Sequence, residues 1–436
     1  MAQKKTVYRK TQKRKKHTKG RGAVIGLIAG VCFFAFAWKG YINSDYSQPA
    51  QNGDSMPGDS QQTAQTLYTS AKVSDERGQL EAGQTKLLEE YATAYANTLR
   101  SMKRQDISHL YADTRGKWYN INTAALQVLT DIRSMRDIDL TLEYAQVEYT
   151  VKSVEKSGKN VTVLLQESNV QKFRHLSQPS LAANLNHLFV LTEQDGSWLI
   201  KEHQQEEDFY LLTMEGWESA GGTDYSRRGE KARDIIVADA VENLADLSQF
   251  QQGKVLDLKV ADTSYNRDAA VEYARQWWNG RNYTGNYLAY DEFGGNCQNF
   301  ASQCIHAGGI KMDYTGVHDV QWKFYDENLN NKATPRGRSY SWTGVDMFYS
   351  YAVNNYSDGL VTLTDIPYEY AQKGDIDHVG AYRQWRHALL VSDVVKNADG
   401  SLQDIVVASN TADRWNYPLS AYIYTGARLI HILGQN

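Results

Sequence analysis

Cys297 heads a segment built to start a helix: Gly294-Gly295-Asn296-Cys297-Gln298-Asn299-Phe300-Ala301-Ser302-Gln303-Cys304. Two glycines allow a sharp turn, and Asn296 is a favourable N-cap. Phe300, Cys304 and Ala307 then continue one apolar face until Gly308-Gly309 ends it. A thiol at the first helical position lies among unpaired N–H groups that favour its anion. Its pKa is therefore expected below the free value of ~8.5. Thiolate attack on a carbonyl carbon is the chemistry such a residue serves. The bland alternative, a small buried residue, is the better reading for Cys304, two turns on beside Ile305. The helix would separate the two cysteines by ~10 Å, too far for a disulfide.

A cysteine nucleophile needs a base, normally histidine, held by a third polar group. His17 lies in the basic N-terminal segment, and His109, His175, His187 and His203 fall in the middle of the chain. His306 sits nine residues after Cys297, about half a turn round the same helix, and faces away. His318 and His378 fall in loop-like stretches, and His431 in a terminal apolar strand. His387 instead opens the apolar run Ala388-Leu389-Leu390-Val391. The turn Asn397-Ala398-Asp399-Gly400 follows, and Asp404-Ile405-Val406-Val407-Ala408-Ser409-Asn410 returns as the partner strand. Folding about Ala398–Asp399 puts His387 opposite Asn410, whose amide could orient the ring, with Asp413 as the rival orienter.

The elements that position these residues divide the chain. Residues 1–22 are basic, 23–42 apolar, and 43–78 a polar stalk expected to be disordered. From 79 to 215, helical spacing (Leu88, Tyr91, Tyr95, Leu99, Met102; then Leu126, Leu129, Ile132, Met135) gives way to period two (Ala145, Val147, Tyr149, Val151). A hairpin is expected about Asp195-Gly196. Helices followed by a meandering sheet predict a compact α+β domain, read as the cone-shaped nuclear-transport-factor-like fold in a spacer or binding role. Residues 216–262 read as a connector, helical from Arg228 to Leu247, and the last domain spans 263–436.

Tyr265-Asn266-Arg267-Asp268-Ala269-Ala270-Val271-Glu272-Tyr273-Ala274, taken with the segment around Cys297, resembles the putative amidase domain family of bacterial envelope proteins. That family is similar to papain-like cell-wall amidases and peptidases. The resemblance implies an α+β papain-like domain, a helix carrying Cys297 packed on an antiparallel sheet. It further implies amide hydrolysis, with peptidoglycan as the substrate, Cys297 as nucleophile and His387 as base. Family members often place a polar residue such as His, then Thr, where this chain has Asn410-Thr411. Tyr287, Tyr290 and Asn296 are candidate side chains for the oxyanion, and the Cys297 N–H is a candidate backbone donor.

Charge and composition narrow the partners. Residues 1–22 hold ten Lys/Arg and no acid, leaving 37 bases against 51 acids, a net −14, in the remainder. A basic run before sixteen unbroken apolar residues (23–38) reads as a membrane anchor with the remainder outside the cytoplasm, or as a signal peptide cleaved near Ala37. It does not read as a nucleic-acid arm. Cys32, Cys297 and Cys304 are the only cysteines, which excludes a disulfide framework. Neither a metal-ligand spacing nor a phosphate-cradling loop is present, so no cofactor is expected. Six of the ten Trp lie in the last domain, and Trp385 and Trp415 flank the proposed base and orienter. Rival readings are a non-catalytic module that binds wall polymer or a partner protein, and acyl transfer through the same thioester.

Overall fold

A computed structural model describes residues 69–250, 259–283, 287–291, 294–314, 321–324, 338–355 and 358–436. The basic and apolar segments expected at 1–22 and 23–42, and residues 43–68 of the expected stalk, lie outside these. Among the described residues no helix is long and apolar enough to cross a membrane.

The architecture is α+β around a twelve-stranded, mostly antiparallel sheet. Its first half begins at β1 (Thr69–Ser74), which pairs parallel to β2 (Leu142–Ser157). These six residues fall inside the stretch expected to be stalk; Val73 is buried and gives them an inward anchor. Helices α1 (Ala82–Ser101) and α2 (Lys117–Ser134) bury the predicted faces, Leu88, Tyr91, Tyr95 and Leu99 on the first and Leu126, Leu129 and Ile132 on the second. A capping box between Glu81 and Gln84 starts α1. Met102 and Met135, expected on these faces, are instead the C-caps.

Strands β2, β3 (Asn160–Phe173), β4 (Ser180–Gln194) and β5 (Ser197–Gln205) form a meander. Asp195 and Gly196 both take positive φ, the geometry that lets a two-residue turn match strand twist. Helices α3 (Asp208–Ala220) and α4 (Tyr225–Phe250) follow and pack on each other; α4 covers the helix expected from Arg228 to Leu247 within the connector. Their close approach needs Gly216, where a Cβ would stand 2.8 Å from the Ala232 carbonyl oxygen.

The second half carries β6 (Thr263–Ser264), α5 (Arg267–Trp277), α6 (Cys297–Ala307), α7 (Tyr340–Thr343) and α8 (Val345–Asn354). It continues with β7 (Leu360–Thr364), β8 (Ile376–Ala381), β9 (Gln384–Lys396), β10 (Leu402–Ser409), β11 (Asp413–Pro418) and β12 (Gly426–Gln435). The two halves share one sheet, because β11 pairs with β4 at Asp413–Ala183, Arg414–Ala182 and Trp415–Leu181. Cys297, Phe300, Ala301 and Cys304 are buried against Ile376, Ala388, Leu390, Ala408, Ile430 and Ile432. The sheet therefore presents to α6 the residues that alternate with His387, Leu389 and Val391.

Candidate active site

The loop into α6 turns through Gly294 and Gly295, both at positive φ (107° and 129°). Asn296 occupies the N-cap position, yet its side chain accepts from no backbone N–H of the helix. Its Oδ1 accepts from the Tyr290 N–H (3.0 Å) and Asn299 Nδ2 (2.8 Å), and its Nδ2 donates to Asn410 Oδ1 (2.8 Å). The Asn296 N–H donates to Thr411 Oγ1 (2.6 Å). This network ties the helix start to the end of β10.

Cys297 is 7% exposed. It shares a buried cluster with Ala388 of β9, and the backbone N–H groups of Ala388, Gln298 and Cys297 itself pull its pKa down. Those donors favour the thiolate, as the helix position predicts, but burial outweighs them and pushes the thiol above its ordinary value. The expected lowering is thus reversed in this structure, because removing the sulfur from water costs more than three N–H groups return. Cys304 is fully buried and its thiol is pushed well up by burial, in keeping with a core residue. Both cysteines are free.

His387 immediately precedes Ala388, which is buried in the same cluster as Cys297. The hairpin pairs Ala408 with Leu390 and ends there, one position from the fold-back read in the sequence. The His387 ring lies 6.3 Å from the ring of Tyr422 and is held neutral to about 3, first by burial and then by the Arg414 guanidinium, with Asp208 opposing. Its Nε2 is buried without a hydrogen-bond partner. No hydrogen bond joins it to Cys297 in this arrangement, and thiol and imidazole are both held neutral, each by burial first.

Neither proposed orienter holds that ring. Asn410 is buried, but its Nδ2 donates to the carbonyls of Trp277 (3.0 Å) and Trp278 (2.6 Å), and its Oδ1 serves Asn296. The reason lies in the β10–β11 turn, where Thr411 and Ala412 take positive φ (66° and 53°) and swing the chain toward α5. Asp413 pairs with Arg281 (3.3 Å) and accepts from Asn184 Nδ2 (2.7 Å) and the Thr411 N–H (2.8 Å). Asn410 is brought to the cysteine helix, and His387 next to a residue of the cysteine's buried cluster, while the two side chains serve different networks.

His378, set aside as a loop residue, lies in β8 opposite Ala388. Its Nε2 donates to Gln298 Oε1 (2.9 Å), because its Nδ1 accepts from Arg428 Nη2 (3.1 Å). Arg428 in turn reaches Asp346 (3.1 Å) and stacks on Trp385 at 4.4 Å. Burial and Arg428 keep His378 neutral. The strand is obscured in the sequence because Asp377 and His378 are polar, although every residue from Ile376 to Ala381 is buried.

Of the other oxyanion candidates, Tyr287 packs on Phe324 (5.1 Å between rings), and Tyr290 lies beneath Arg338 (4.8 Å). The N–H groups of Cys297 and Gln298, at the start of α6, are among those that favour the thiolate. Among the described residues no group of three or more His, Cys, Asp or Glu could hold a metal ion.

Residues 264–433 match the model of the family described as "Putative amidase domain", in agreement with the resemblance read around Cys297. A curated relative, "Uncharacterized protein YhbB" of Bacillus subtilis (strain 168), is 27% identical over 206 residues, 45% of this chain. The chain spans 55% of that relative's length. No solved structure matches significantly.

Proposed function

We propose that this chain is a cysteine hydrolase of amide bonds, with a papain-like catalytic domain at 263–436. The observation that carries the reading is Cys297 at a helix start, buried in one cluster with Ala388, the residue after His387. The match to an amidase family model supports the reaction class. In the proposed cycle His387 takes the Cys297 proton as sulfur bonds to the carbonyl carbon. The oxyanion is met by the Cys297 N–H. Collapse breaks the C–N bond, and the imidazolium protonates the departing amine. Water, deprotonated by His387, then cleaves the thioester to acid and thiol.

The proposed substrate is peptidoglycan, reached from the outer membrane-water boundary of a cell membrane by a chain anchored through 23–42, or secreted after cleavage near Ala37. The basic-then-apolar order of 1–42 supports that location. A second reading, a non-catalytic module binding wall polymer or a partner, is favoured by the neutral, unbonded Cys297–His387 pair. The test uses the full chain on purified cell-wall material, with new amines counted and fragments located by mass spectrometry. Amine release lost in Cys297→Ala and His387→Ala supports hydrolysis. Equal release from wild type and Cys297→Ala refutes it, and transfer to an added amine would redirect the thioester.

A further inference from the structure

His387 Nε2 has no hydrogen-bond partner to fix the ring, so its placement must come from the strand that carries it. The β8–β9 turn is a two-residue hairpin with Tyr382 and Arg383 both at positive φ (54° and 58°). Acids of α3 and α4 grip it at several points. The Tyr382 N–H donates to Asp239 Oδ2 (3.2 Å), and the Thr425 hydroxyl donates to the same oxygen. Arg383 reaches Glu242 (3.3 Å), and Arg386, the residue before His387, is ion-paired with Glu215. Asp208, the first residue of α3, accepts from the Ile423 N–H (3.1 Å) beside Tyr422, the ring nearest His387. All these acids lie outside residues 264–433.

We propose that Glu215 and Asp239 are positioning residues for His387, so that α3 and α4 form a working part of the active site. The inference rests on the hydrolase reading above. A backbone held on one side by β10 and on the other by these acids presents the imidazole at one distance from the sulfur. Loosening the hairpin would leave substrate binding intact and misplace the proton acceptor.

The experiment uses the full chain carrying Glu215→Gln, Asp239→Asn, the conservative Glu215→Asp, and Glu230→Gln on an exposed position of α4 as control. The expected result is kcat lower by roughly 10²-fold with KM unchanged for the first two. Glu215→Asp should recover much of that loss, and Glu230→Gln should match wild type. Backbone amide exchange at residues 384–388 should accelerate in the same two variants. Wild-type kcat and wild-type exchange in both would overturn the proposal. If either variant fails to fold, Glu242→Gln, at an exposed pair on the same turn, supplies the exchange comparison. If wild type releases no amine, the hydrolase reading fails, and exchange with the rate of Cys297 alkylation still judges the positioning.

Discussion

Replacing Arg414 by Met tests how the two halves of the sheet are held. Arg414 is 1% exposed, with Nη2 2.6 Å from Glu207 and Nη1 3.5 Å from Asp208, and its guanidinium lies over Tyr417 (4.4 Å) and Tyr422 (4.7 Å). Met retains much of the stem's packing but leaves two buried carboxylates without their cation. Breaking one partner of a buried pair costs ~3–5 kcal/mol. The lost stacking adds up to ~2 kcal/mol, set against relief by protonation. Glu207 is already pushed above its ordinary value by burial, so its charged form opposes folding as pH rises through that range. The expected deficit is therefore about 4 kcal/mol at pH 7 and smaller at pH 5. Urea unfolding at both pH values, with the slope checked for two-state behaviour, measures it. Adding Glu207→Gln should return more than ~1 kcal/mol, since the second change removes an orphaned charge. A loss below ~1 kcal/mol at pH 7, or no recovery in the double variant, would refute the reasoning.

Three other outcomes follow from the same geometry. Iodoacetamide should label Cys297 before the fully buried Cys304, and the Cys297 rate should keep rising above pH 8.5, because burial raises that thiol; a plateau below pH 7 would contradict it. His387, depressed to about 3 when folded, contributes stability that is present above its unfolded value of ~6.5 and is lost as pH falls toward 3. His387→Phe should flatten that part of the stability curve, read by thermal unfolding across pH. Gly308→Ala would place a Cβ 2.1 Å from Tyr265 Cε2 and 3.0 Å from the Asn266 oxygen, and should cost ~1–3 kcal/mol in urea unfolding.

The sequence disclosed what periodicity and turn chemistry encode. The cysteine helix, its glycine entry, the hairpin behind His387 and the helix-then-sheet order of 79–215 follow from local pattern. The pairing partner of Asn410 did not, because two left-handed residues at the β10–β11 turn redirect it toward α5. His378 was hidden by the polar Asp377 beside it, which is buried on the other side of β8 and bonded to Tyr368 (2.7 Å). The Arg414 cluster was invisible for a different reason: its partners lie over 200 positions away, and nothing in a local window reports that Glu207 and Asp208 are buried. The thiol's raised value was missed because helix position is legible and desolvation is not.

The three-residue junction between β4 and β11 also bears on how the chain reaches its folded state. Asp413 pairs with Ala183, 230 positions earlier, so this ladder closes one of the longest loops in the protein. Local hairpins such as β2–β3 can zip early, whereas this closure must wait for chain entropy to be overcome late. Until then Leu181, Ala182 and Ala183 form an open strand edge, able to pair with another molecule. During synthesis the amino-terminal half would be complete while that edge stays bare. Refolding yield should therefore fall with protein concentration, and charged substitutions at the partly exposed end of β4 should be among the few that improve it.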